Sequence, residues 1–314
     1  ELAALQGEAP LVPMQVDGHV VAEIIAAWTG IPLGKMVKDE IHTVRNLQAT
    51  LQERVIGQNH ALAAIAQRVR IARAGLEDAL VRVAASDRRL RWLPDGRDYP
   101  WHFGDADVSV RIVDEMGKVD LNAADPPLLA ALFRQVGVAP GDADRLAGAI
   151  ADWRDPDSLI QVSGGAEDDD YAAAGRPYGA KDAPFESIAE VEQVLGMTPA
   201  IYARVEPFLT IFSGNGTPDA SEAAPEVLAA MGLDAGGIVA RRRLWDPASG
   251  QPPPVLADGQ PLSDGGTGTY SIWSRARLRN GRETVLRAIV RSGGNGLPGS
   301  AYTALQWEEG TSPQ

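Results

Sequence analysis

The chain places four consecutive carboxylates, Glu167-Asp168-Asp169-Asp170, in the Gly-rich stretch Gly164-Gly165-Ala166-Glu167-Asp168-Asp169-Asp170-Tyr171, which contains no Lys or Arg. Apolar-periodic helical segments flank it on both sides. Four like charges at adjacent positions repel one another, so a fold that closes around them must set a positive charge among them or leave them in water. A hard cation such as Ca2+ satisfies the first condition. It takes six to eight oxygens from carboxylates, backbone carbonyls and water. Glu167, Asp168, Asp169 and Asp170 would supply charge, and the glycines let carbonyls turn inward. Asp152, Asp155 and Asp157 lie just upstream and are expected to fold back on the same ion. The spacing is not that of an EF-hand. The competing expectation is a solvated acidic loop.

Bulk properties narrow the field. The chain has 314 residues, 45% of them hydrophobic, enough for one large or two modest domains with a real core. A net charge of −13 argues against nucleic acid and against an anionic membrane as the main partner. There is no cysteine, which excludes disulfides, thiolate metal sites and Cys nucleophiles. The four histidines are His19, His42, His60 and His102, so a His-based centre in the second half is excluded. No apolar run of about 18 residues is present to form a membrane-spanning helix. No signal peptide is read, and Glu1-Leu2-Ala3-Ala4 has the character of a fragment or fusion.

The apolar pattern changes period along the chain. Residues 1–78 read as helical, with Val20, Val21, Ile24, Ile25 and Trp28 in one stripe, a second pattern from Val37 to Val55, and Leu62, Ile65, Val69, Ala72 and Leu76 in a third. The third continues into Leu80 and Val83, the end of a long helix leading to the first strands in residues 79–121. Leu93-Pro94-Asp95-Gly96 reads as a turn, Val108, Val110 and Ile112 alternate as a strand, and Val119-Asp120-Leu121 reads as a short second strand. Residues 122–245 read as an all-α insert. Asn122 or Asp125 caps a helix bearing Leu128, Leu129, Leu132 and Phe133, and a further helix spans Glu186 to Leu195. Helix–Gly–apolar turns recur at Gly137, Gly196 and Gly232. Residues 246–314 return to β after a Pro/Gly-rich loop, with Asn280-Gly281 as a hairpin signal and a last strand from Tyr302 to Trp307. The expected class is α+β: an antiparallel sheet with a large helical insert.

Two family resemblances follow. Ala26-Ala27-Trp28-Thr29-Gly30-Ile31-Pro32-Leu33-Gly34-Lys35-Met36 and Arg54-Val55-Ile56-Gly57-Gln58-Asn59-His60-Ala61 resemble the entry to the second ATPase domain of Clp-type AAA+ disaggregases, nearest the type VI secretion branch. No Gly-rich phosphate loop ending in Gly-Lys-Ser/Thr follows, and Gly30 to Lys35 is too short to be one, so ATP hydrolysis is not expected. From about residue 72 onward the chain resembles the minor pseudopilin K of type II secretion systems. Arg91-Trp92-Leu93-Pro94-Asp95-Gly96, Asp114-Glu115-Met116-Gly117-Lys118-Val119-Asp120-Leu121-Asn122, Asp152-Trp153-Arg154-Asp155, Gly165 to Tyr171, Pro177-Tyr178, Pro184-Phe185 and Val205-Glu206-Pro207-Phe208-Leu209-Thr210 carry that likeness. It implies a pilin-like body with a helical insert, a place at the pseudopilus tip on the periplasmic side of the inner membrane, minor pseudopilins I and J as partners, Ca2+ binding and no enzymatic activity. The Clp-like segment sits where that family has its leader and apolar anchor helix, so anchoring and leader processing are not expected from the residues read here.

Other readings are open to test. The helix–Gly–apolar–helix turns resemble hairpins that grip DNA backbones but lack flanking basic residues. Arg241-Arg242-Arg243 reads as a solvated or partner-facing patch, Trp153 as a core residue, and Asp114 and Glu115 as non-catalytic neighbours on a turn. The missing phosphate loop makes the first prediction: in a phosphate-release assay with Mg2+ and ATP, the purified chain shows no turnover above the buffer background.

Overall fold

The computed structural model describes residues 46–52, 59–104, 106–162, 164–257, 259–262, 266–278, 281, 283–293 and 302–310. The Clp-like motif at 26–36, the helical stripe of residues 20–28, His19, His42 and Arg54 to Gly57 lie outside them. A short helix, α1, spans Leu47–Gln52, and a long one, α2, spans Asn59–Val83. Ala66, Ala72, Leu76, Ala79 and Val83 are buried along α2, a stripe at helical spacing. Two compact units divide the chain: residues 1–77, 100–110 and 273–314 form one, and 78–99 with 111–272 the other.

The strands are β1 (Asp95–Phe103), β2 (Ala106–Asp114), β5 (Thr269–Arg277), β6 (Glu283–Ser292) and β7 (Tyr302–Gly310), in the sheet order β1-β2-β5-β6-β7. β2 alternates strictly, with Ala106, Val108, Val110, Ile112 and Asp114 inward. β6 and β7 pair antiparallel from Val285↔Gly310 to Ser292↔Tyr302, with a bulge at Ile289/Val290. Within the first unit α2 lies close to β5. A side chain at Gly75 would meet Ser274 Oγ at 2.4 Å, so the helix needs glycine there. Arg73 stacks 5.2 Å over Trp307 and donates to Tyr302 Oη. β1 corrects the expected turn at Asp95-Gly96, where the strand begins. Asp, Gly and Pro100 hide it from propensity, and Pro100 is tolerated because β1 stands last in the sheet order.

Between β2 and β5 the chain builds the helical insert. β3 (Val119–Asp120) and β4 (Leu209–Thr210) pair in parallel, Val119↔Leu209 and Asp120↔Thr210. Buried Asp120 fastens this pair: Oδ1 accepts from Asn122 N at 2.8 Å, and Oδ2 from Ser213 N at 3.1 Å and Gly214 N at 2.8 Å. Helices α3 (Pro126–Gln135), α4 (Pro140–Arg154), α5 (Asp168–Ala173), α6 (Pro199–Val205), α7 (Pro225–Ala230) and α8 (Ala235–Leu244) follow, with β4 between α6 and α7. Proline opens α3, α4, α6 and α7, where its missing N–H costs nothing. The recurrent Gly–apolar turns are helix stops. Gly137 takes φ +83° while Val138 N donates to Phe133 O, and Gly232 takes φ +76° while Leu233 N donates to Leu228 O. This is the Schellman pattern, and its apolar residue folds back on the helix. The expected helix at Glu186 to Leu195 is instead a 3-10 turn, Ile188–Gln193. Its buried residues Ile188, Val191 and Val194 recur at three, the 3-10 period.

The second unit is locked by buried polar groups. Glu115 and Lys118 are fully or nearly buried and pair at 2.6 Å. Lys118 Nζ also donates to Ser271 Oγ at 2.7 Å, and Thr210 Oγ1 donates to Glu115 Oε2 at 2.5 Å. Removing one partner strands a buried charge, at a cost of about 3–5 kcal/mol, whereas replacing both is far milder. Lys118→Met alone is therefore expected to lower unfolding stability by about 3–5 kcal/mol in urea titrations, and Glu115→Gln added to it to recover most of the loss.

Candidate functional site

The acidic stretch takes shape at the junction of α4 and α5. Asp152 is the third residue from the end of α4 and is fully buried. Its Oδ1 accepts from Gln161 N at 3.2 Å and its Oδ2 from Ala166 N at 2.8 Å, so it pins both ends of the connecting loop. Asp155 caps the C-terminus of α4. One of its oxygens accepts from Gln161 Nε2 at 3.4 Å; the other, Oδ1, is buried without a hydrogen-bond partner. Glu167, buried at the N-cap of α5, likewise leaves Oε1 buried and unpartnered. The loop lies tightly on α4: a side chain at Gly148 would collide with the Gly164 carbonyl, and one at Gly165 with Asp152.

The remaining carboxylates have other work. Asp168, Asp169 and Asp170 form the first turn of α5, where the helix dipole favours negative charge. Asp170 Oδ2 accepts from Glu167 N at 3.0 Å, Asp168 Oδ1 accepts from Ala180 N at 3.1 Å, and Asp169 is exposed. Asp157 accepts from Leu159 N at 2.9 Å, an Asx turn. The structure thus brings Asp152, Asp155 and Glu167 together and spreads the other four around them. It adds Asp182, which sequence reasoning passed over. Asp182 sits in the left-handed region at φ 55°, a conformation rare outside glycine. Nothing in Lys181-Asp182-Ala183 signals that conformation.

Repulsion in this cluster is visible in the proton affinities. Burial, then the charges of Asp152, Asp155, Asp182 and Asp168, push the Glu167 carboxyl up to about 7. Burial and the Asp157 charge raise Asp155, and burial raises Asp152 against its two backbone bonds. The nearby cations are engaged elsewhere. Arg154 donates to the carbonyls of Leu121 and Ala124, and Lys181 pairs with Glu190 at 2.9 Å. Among the described residues no group of three or more acidic or imidazole side chains is placed to hold a metal ion.

Beneath the acidic loop lies an aromatic core. Trp153, buried as expected, is 5.8 Å from Tyr171 and 6.3 Å from both Tyr178 and Phe185, centroid to centroid. Its indole N–H donates to Glu190 Oε1 at 2.9 Å. Trp153, Tyr178, Lys181, Glu186 and Glu190 line a wide groove on this side.

A second buried acidic group was missed by the sequence reading. Glu222 is 4% exposed with Oε2 unpartnered, and burial together with the charges of Asp114, Asp95 and Asp219 pushes its carboxyl up to about 8 against the pull of Arg242. Arg242 corrects the solvated-patch reading of Arg241-Arg242-Arg243. It is buried, donating to Ser221 O at 2.9 Å and Ala223 O at 2.5 Å, while Arg241 and Arg243 are exposed. Asp114, also buried, accepts from Thr267 N and Oγ1 at 2.6 Å each.

A long helix, a five-stranded sheet and a helical insert between the neighbouring strands β2 and β5 make this an α+β protein. Residues 110–214, the stretch that holds the β3/β4 pair and the acidic loop, match the family model "Type II secretion system (T2SS), protein K". The fold is similar to that of a chain in the crystal structure of the GspK-GspI-GspJ complex from the enterotoxigenic Escherichia coli type 2 secretion system. The TM-score is 0.55 at 19% identity, over 82% of this chain and 100% of that one. A separate segment is similar to AAA+ proteins. It is 53% identical over 78 residues to the AAA+ ATPase ClpV1 of Pseudomonas aeruginosa and 45% identical over 78 residues to the chaperone ClpB of Yersinia enterocolitica. That segment is 25% of this chain and spans only 9% of the length of those relatives.

The two buried glutamates set the pH response. Each has a folded-state proton affinity raised above the ordinary 4.5, so the stability it carries is complete below about pH 4.5 and is lost as pH rises through about 7 for Glu167 and about 8 for Glu222. In chelator-treated protein the melting midpoint is expected to fall from pH 5 to pH 9. Glu222→Gln should make that decline shallower throughout and end it near pH 7 instead of near pH 8.

Proposed function

We propose that this chain is a minor pseudopilin of the type II secretion system that caps the pseudopilus tip with minor pseudopilins I and J, on the periplasmic side of the inner membrane. The supporting observation is the coincidence of two independent likenesses: the protein K family match at 110–214 and the fold likeness over most of the chain. The role is structural, not enzymatic. The helical insert of residues 122–245 is bulky, which favours the end of a filament over its interior. No helix among the described residues is long and apolar enough to cross a membrane. Purified together with I and J, the chain is expected to co-elute as one complex on size exclusion. Separate elution of all three would refute the assignment.

The acidic junction fits a hard cation in its chemistry. Asp155 Oδ1 and Glu167 Oε1 are buried oxygens without hydrogen bonds, amid repelling charges. With Asp152 and Asp182 nearby they would hold Ca2+, completed by backbone carbonyls and water. Such an ion would supply the missing positive charge and fix the α4–α5 loop. Because Glu167 is largely protonated below about pH 7, affinity rises with pH as its proton leaves. The affinity expected is that of an extracellular module, on the order of 10⁻⁴ to 10⁻³ M. Millimolar Ca2+ should therefore raise the melting midpoint at pH 8, by mass action. Glu167→Gln should abolish that shift while raising the midpoint of the chelator-treated protein, because it removes repulsion. A wild-type midpoint unmoved by Ca2+ counts against the site.

A helical AAA+ ATPase role has the 78-residue likeness behind it. The absence of a phosphate loop from the sequence argues against it.

A further inference from the structure

The loop held by Asp152 carries an apolar tip. Leu159 is 73% exposed, Ile160 53% and Val162 fully exposed, three large aliphatic side chains within four positions. The other exposed large apolar side chains among the described residues, such as Val81 and Leu244, stand singly along the sequence. Showing three together costs solubility, and clustered exposure of this kind marks an interaction site.

The tip is shaped, not loose. Leu159 N donates to Asp157 Oδ1 at 2.9 Å, closing an Asx turn before it. Gln161 faces the other way: its backbone N–H donates to Asp152 Oδ1, its side-chain amide to Asp155 Oδ2, and its carbonyl accepts from Gly164 N at 2.9 Å. Gln161 is thus anchored inward, while Ile160 and Val162 on either side of it expose their side chains. Preorganisation of this sort lowers the entropy cost of docking.

The surroundings select the partner. Asp157 precedes the tip, and Asp168 and Asp169 follow it, all three exposed. The cation beside the loop, Arg145, is already paired with Asp142. An apolar tip with a carboxylate rim complements an apolar cleft rimmed by Lys and Arg. It repels a second copy of this chain, at net charge −13, and an anionic lipid surface.

We infer that Leu159, Ile160 and Val162 form a docking finger that inserts into a basic-rimmed apolar cleft of a partner protein. Attraction between rim charges speeds the encounter and sets specificity, and the three aliphatic side chains supply the buried area. Occupancy at the acidic junction is a separate matter, since the turn bonds that shape the finger need no ion.

The test uses the full chain and a fluorescent amphipathic Leu/Lys peptide of about four helical turns, with a Leu/Glu peptide of equal length as control. Fluorescence anisotropy should show the Leu/Lys peptide binding at least about tenfold more tightly than the control, weakening with salt. The variant Leu159→Ser/Ile160→Ser/Val162→Ser should lose at least about tenfold in affinity while melting within a few degrees of wild type. Because these side chains are exposed, the variant is expected to fold. Equal binding by wild type and variant would reduce the effect to general acidity and overturn the proposal. Three other results would do the same: equal affinity for both peptides, a concentration-dependent dimer abolished by the variant, or finger-dependent binding to phosphatidylcholine/phosphatidylglycerol vesicles.

Discussion

The second unit is organised around one buried charge pair. Glu115 and Lys118 leave β2 within four residues of each other, and neither reaches water. Each must find the rest of its hydrogen bonds inside the protein, because an unsatisfied buried charge is among the costliest defects a fold can carry. The partners come from far along the chain: Thr210 from β4 and Ser271 from β5. The chain cannot satisfy Glu115 without returning from the helical insert at Thr210 and re-entering the sheet at Ser271. The motif Asp114 to Asn122 therefore acts as a clasp. Asp114 holds Thr267, Glu115 holds Thr210 and Ser271, and Asp120 holds Ser213 and Gly214. Gly117 belongs to it too, since any side chain there would strike the Glu222 backbone at 2.7 Å.

A similar logic works at smaller scale in the acidic junction. Asp152 spends both oxygens on backbone amides and becomes a structural element. Asp155 and Glu167 each leave one buried oxygen, Oδ1 and Oε1, without a hydrogen bond. The contrast separates carboxylates that build the loop from carboxylates that give it chemistry. Glu222 shows the cost of burial without a partner. It keeps its proton near neutral pH because burial and the charges of Asp114 and Asp95 outweigh the pull of the Arg242 guanidinium, whose hydrogen bonds go to the carbonyls of Ser221 and Ala223. Arg242 thereby holds the Ser221–Ala223 turn on which Glu222 sits.

Much of the architecture could be read from the chain. Strict alternation marked β2, and the Gly–apolar turns marked the helix stops of the insert, because each depends on local backbone geometry; Asn280 of the expected hairpin turn lies outside the described residues. β1 was not readable. Its Asp, Gly and Pro residues have poor strand propensity, and only the neighbouring strand makes it one. The 3-10 turn at Ile188–Gln193 was taken for a helix because a three-residue repeat is close to 3.6 over so short a span. In the acidic stretch, the sequence showed that seven carboxylates lie near one another along the chain. It did not show that Asp168, Asp169 and Asp170 would serve as a helix start.

What the sequence determined alone was the α+β class, the order of most of its helices and strands and the presence of an acidic run without Lys or Arg, since periodicity, turn residues and charge are written in local composition. Tertiary structure decided which of those charges are buried, which oxygens lack partners, that Arg242 is interior and that Leu159, Ile160 and Val162 are not. Burial and partnership are properties of residues far apart in the chain. Thr210 and Glu115 are separated by 95 positions, and no local pattern records that they will meet.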